Sequence, residues 1–131
     1  MERLPQHIVV ERKGDICCVR LRRSRMNEAD IMEMADEVID LINGQGCRKM
    51  TLSLGPGQLE CLYSVFLAKL VMIRRIMTEA GGALKLCDAT PETVGVFEAC
   101  HLKELFDFVP DQATAVAALH EKSDDWSEPE A

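Results

Sequence analysis

Ser64 is the residue whose type and placement most suggest chemistry. It follows Gly55-Pro56-Gly57 and the run Leu59-Glu60-Cys61-Leu62-Tyr63, and it precedes Val65-Phe66-Leu67-Ala68-Lys69-Leu70. That position fits the N-cap of an unusually apolar helix. A hydroxyl there has two uses. It can cap free backbone N–H groups, or it can carry a phosphate favoured by the helix dipole. Residue types alone leave both open.

Other chemistry-bearing residues form weaker patterns. Arg20 and Arg22 fall on one face of an expected strand, and Arg23 and Arg25 follow in the next turn. This cluster reads either as a solvated strand end or as a patch for an anion or an acidic partner. Glu98-x-x-His101 resembles half of a carboxylate-bridged metal site, but such sites need a second copy and the chain has none. No metal and no cofactor are expected. Gly55-Pro56-Gly57 lacks the spacing of a dinucleotide fingerprint and is followed by no Walker lysine, so it reads as a turn. The six cysteines include no Cys-x-x-Cys pair and no zinc-type Cys–His spacing, which makes them small core hydrophobes. No acid–base or nucleophile–base pair can be named, and an enzyme is the least expected class.

The elements that must hold these residues belong to one domain. The chain has 131 residues, 47% apolar and 28% charged, the balance of a folded globular protein. A formal net charge of −7 argues against general nucleic-acid binding. No apolar run approaches the roughly 20 residues of a membrane span. The opening Met1 to His7 has no apolar signal region, so the cytoplasm is the expected compartment.

Alternation predicts strands over 8–11 and 16–22 joined by Lys13-Gly14-Asp15, with Val19 and Leu21 inward opposite the arginines. A helix follows, capped by Asn27 and closed by Asn43-Gly44. Its stripe is Ile31, Met34, Ala35, Val38, Ile39 and Ile42, with Glu33, Asp36, Glu37 and Asp40 left to solvent. Then come a strand over 49–54, the Ser64 helix to about Ala80, and a strand over 83–87. A Thr90-Pro91-Glu92 helix start, a strand over 105–109 and a fourth helix from Pro110 to Leu119 complete the order. The pattern is α/β, a mostly parallel sheet with an N-terminal antiparallel hairpin and about four helices, over residues 1–120. Residues 121–131 read as an acidic, mobile tail in which Trp126 could anchor a partner.

This order, with Leu59 to Leu70, Glu79-Ala80-Gly81-Gly82-Ala83-Leu84-Lys85-Leu86-Cys87, Pro91 to Phe97, Leu105-Phe106 and Asp111 to Ala118, resembles the STAS domain of bacterial anti-sigma-factor antagonists over about residues 8–120. The resemblance implies partner switching with a kinase-type anti-sigma factor, which phosphorylates a serine in an Asp-Ser-Ser/Thr-Gly-Leu segment. With Leu67 and Leu70 in register, Ser64 takes the phosphoacceptor position, whereas a register shifted by one or two residues leaves no hydroxyl except that of Tyr63 in the site. Tyr63 then replaces the aspartate, Val65 the next hydroxyl residue and Phe66 the glycine. Tyr63, Val65, Phe66 and Lys69 become candidate partner contacts, with Phe66 adding bulk where a kinase loop would approach. Two alternatives are a STAS-like scaffold without phosphorylation, using Phe66 and Tyr63 as a fixed contact, and a small-ligand or nucleotide sensor using the arginine cluster. Neither the sequence nor the resemblance sets the oligomeric state.

Overall fold

The computed structural model describes residues 5–55, 57–61 and 64–127, with side chains described as far as His120. The chain opens as a hairpin, β1 (Ile8–Lys13) and β2 (Ile16–Leu21), around Gly14 at φ +64°. α1 (Glu28–Asn43), β3 (Lys49–Ser53), α2 (Ser64–Glu79), β4 (Ala83–Cys87) and α3 (Pro91–Ala99) follow. A 3-10 turn (Lys103–Leu105), β5 (Asp107–Val109) and α4 (Gln112–Ser127) complete it. The five strands lie in the order β1-β2-β3-β4-β5. The first pair is antiparallel and the rest are parallel. The expected α/β architecture is therefore the observed one.

Crossovers that always step the same way along a sheet and share one hand leave their helices on one face. Here α1, α2 and Phe97 of α3 bury one continuous core with Cys17, Val19 and Leu21 of β2 and Met50 and Leu52 of β3. α4 covers the other face, where Leu119 packs with Ile16 and Cys18. β2 is thus buried on both sides over its first four residues. Alternation had suggested only one buried face.

Local signals account for the helix ends. Asn27 accepts from the Asp30 N–H at 2.8 Å while the Asp30 carboxylate accepts from the Asn27 N–H at 3.1 Å, a complete capping box. Thr90 caps α3 with proline at the first turn. Asp111 accepts from the Thr114 N–H at 2.8 Å, and that bond holds its carboxyl below the usual range. The buried stripe of α1 includes Leu41, with Ile39 only half-buried. α4 continues to Ser127, eight residues past Leu119, because no glycine or proline interrupts it. The segment expected as a tail therefore begins as helix, while the Trp126 side chain lies outside the described residues.

Five cysteines are buried and free, and Cys100 is exposed. Burial pushes the thiols of Cys47 and Cys87 up to about 12 and that of Cys61 to about 11. They stay protonated near neutrality and act as core filler.

The acidic face of α1 is not simply solvated. Glu37 accepts the backbone N–H groups of Gln6 (2.7 Å) and His7 (2.9 Å), and Glu33 lies 2.8 Å from Nε2 of His7, which is 4% exposed. These bonds fasten the entry of β1 to α1. Glu37→Ala should lower stability by about 1–2 kcal/mol, since two donors lose a charged acceptor. Urea unfolding checks this, with the exposed Asp36→Ala expected to change little.

Candidate protein-docking site at the start of α2

The segment leading into α2 is held from three sides. Beneath it, Ser53 at the end of β3 donates to the Asp88 carboxylate at 2.7 Å, and the Leu54 N–H reaches the Cys87 carbonyl at 2.9 Å. Gly55 passes so close to Asp88 that a Cβ there would lie 2.2 Å from the Asp88 carbonyl oxygen. Asp88 itself sits at φ +61°. On the second side, the Gln58 amide donates to Thr93 Oγ1 (3.2 Å) and accepts from Thr90 Oγ1, so the cap of α3 also grips this loop. On the third, Arg25 pairs with Glu60 at 2.7 Å, and the Glu60 N–H reaches the Ser24 carbonyl at 2.8 Å.

α2 begins at Ser64 itself. The serine is the first helical residue, one position later than the N-cap expected for it, and it is exposed. The first turn carries no acidic residue, so the helix supplies no carboxylate of its own to its positive end. Phe66 is 0% exposed and packs in the main core with Leu67, Leu70, Ile73 and Met77. This corrects its expected role: the ring faces inward, adds no bulk at the surface and is not a contact. Val65 and Lys69 are half-buried flanks. Tyr63 lies outside the described residues. Sequence reasoning missed Ala68 and Met72, which are exposed, Met72 to 37%. Steps of four from Ser64 put both on one helical stripe with it, a signal that only becomes readable once the helix start is known.

The arginine cluster divides. Arg25 belongs to the loop clamp, whereas Arg20, Arg22 and Arg23 line a cavity of about 290 Å³ with Gly55, Gly57 and Leu59. Glu98 and His101 line a second, larger hollow, where Glu98 pairs with Lys103 at 3.1 Å. One grouping among the described residues has metal-ligand spacing: His7, Asp30 and Glu33, with ligand atoms within 4.8 Å of one another. The His7–Glu33 bond and the Asp30 cap already account for these side chains. No helix among the described residues is long and apolar enough to cross a membrane.

No protein-family model and no curated protein matches the sequence. Solved structures do match the fold. An anti-sigma-factor antagonist (STAS) domain protein from Planctomyces limnophilus superposes with a TM-score of 0.75 at 22% identity, over 86% of this chain and 97% of that one. The chain has a STAS fold. RsbS from Moorella thermoacetica shares it with a TM-score of 0.71 at 14% identity, over 90% and 98% of the two chains. So does the Bacillus cell fate determinant SpoIIAA in its phosphorylated form, with a TM-score of 0.64 at 12% identity, over 85% and 97%. At these identities the agreement concerns the backbone. On the STAS fold of this chain, the clamped loop and the start of α2 place an exposed serine at the first residue of the helix.

Proposed function

We propose that this chain is a non-enzymatic protein-interaction module of the cytoplasm, an anti-sigma-factor antagonist or a related partner-switching regulator. Its docking surface is the stripe Ser64, Ala68 and Met72, flanked by Val65 and Lys69. The partner is a kinase-type anti-sigma factor, and phosphate on Ser64 is the switch. One observation carries this reading: Ser64 is exposed at the first residue of α2, beside a clamped loop, on the fold of antagonists that include a phosphorylated example.

The chemistry is compatible with both states. Unphosphorylated, the stripe offers a small, mostly apolar contact that a partner can cover. A phosphoryl group brings a charge of about −1.5 to −2, which the positive N-terminal end of α2 favours in the free protein. In the complex that charge would be desolvated beside Ala68 and Met72, so the partner is released. The inward-facing Phe66 supports the reading, because its replacement of a small residue leaves the approach to Ser64 open.

Incubation with ATP and candidate kinase-type anti-sigma factors, followed by mass spectrometry, tests the modification. Ser64 should be the residue modified, Ser64→Ala should keep partner binding, and Ser64→Asp should weaken it at least about tenfold. No phosphate on Ser64 together with unchanged binding by Ser64→Asp would sink the switch. Binding lost in Met72→Glu but indifferent to Ser64 would instead identify a scaffold subunit.

A further inference from the structure

We propose that the cavity at the ends of β2 and β3 is a binding site for a small phosphate-bearing anion, no larger than a diphosphate or a sugar phosphate. The site is separate from the α2 stripe and does not rest on the phosphorylation of Ser64. Three arginines, Arg20, Arg22 and Arg23, line this one hollow. All three are exposed, and among the described residues no carboxylate pairs with any of them. Other cations are paired, as in Lys49–Asp15, Arg75–Glu79, Lys85–Asp107 and Lys103–Glu98. Arg12, Lys13, Lys69 and Arg74 also have no carboxylate partner among the described residues, so it is the gathering of three arginines around one hollow that sets this place apart. The three like charges repel one another until an anion sits among them.

The rest of the lining includes two glycines, Gly55 and Gly57, beside Leu54 and Leu59. Gly55 is fixed against Asp88, so that side of the cavity is held in shape before any ligand arrives. Gly57 has a different character. A Cβ there would meet nothing within 4 Å, so neither packing nor a left-handed backbone requires glycine. The missing side chain keeps the hollow open instead. Guanidinium forks match phosphate oxygens in a bidentate manner, which favours a phosphoryl group over a simple halide. A volume of about 290 Å³ is at the lower limit of small-molecule sites, hence the limit on size.

Isothermal titration of the full chain at low ionic strength tests the site, with inorganic phosphate, pyrophosphate and glucose 6-phosphate as separate probes. Saturable one-to-one binding by at least one probe is expected, weakening as salt is raised. Tightest binding of pyrophosphate would identify a diphosphate ligand, tightest binding of glucose 6-phosphate a sugar phosphate, and equal binding of all three a simple phosphoryl site. Arg22→Gln and Arg23→Gln should each weaken binding about tenfold, the loss of one charge-assisted contact. Arg75→Gln and Ser64→Ala should leave it unchanged, which separates this site from the docking surface. Gly57→Val should reduce binding without loss of stability, a readout that survives any folding defect in the arginine variants. Absence of saturable binding by all three probes overturns the proposal. So does binding that persists in both arginine variants, or an acidic peptide that binds there when no phosphate probe does.

Discussion

Phe66→Ala is expected to cost the fold about 3–5 kcal/mol, the range for removing a fully buried phenylalanine from a core that cannot collapse around the gap. Phe66 is 0% exposed at the third position of α2 and shares its cluster with Leu67, Leu70 and Ile73. A domain's whole stability is about 5–15 kcal/mol, so the variant should unfold at much lower urea with an unchanged slope. The measurement also separates two roles for the residue. A docking side chain would lose partner affinity and keep its stability. Normal stability in this variant would return Phe66 to the surface and overturn the placement of α2.

Gly55→Ala should be the second costly change, at about 3 kcal/mol or more, because a Cβ would lie 2.2 Å from a backbone oxygen. Neither partner can yield easily. The Asp88 backbone is tied through its N–H to the Pro110 carbonyl at 3.2 Å, and its side chain to Ser53 at 2.7 Å. Relief must come from lifting the loop, which carries Gln58, Glu60 and the approach to Ser64 with it. Partner binding and anion binding should therefore fall together in this variant. Gly57→Ala, two residues on, meets open space and should change stability by no more than about 0.5 kcal/mol. Thermal and urea unfolding of the pair provide the comparison, and equal effects at the two positions would refute the close approach.

Much of the architecture was legible because local signals agreed. Asn27 with Asp30, Thr90 with Pro91, and the Gly14 turn each mark an element end through their own chemistry. Where the reading failed, the deciding contact lay elsewhere in the chain. Glu33 and Glu37 looked solvated because their partners, His7 and Gln6, are 26 to 31 residues away. Phe66 looked like surface because family register fixes a position in the chain but not the direction of a side chain. The arginines were visible, yet the cavity was not, since its glycine lining arrives only when β2 and β3 pair in parallel.

The strand order has a consequence for how the protein is made. Position across the sheet equals position along the chain, so each strand, as it leaves the ribosome, has its pairing partner already made. No early strand must wait for a late one to slip in beside it, because each parallel pairing closes only the single helical crossover between neighbouring strands. The nascent sheet always has one growing edge. β5, only three residues long and followed at once by Pro110, ends that growth by offering little for a further strand to pair with. Vectorial assembly and a blunt stop are thus written into the same linear order.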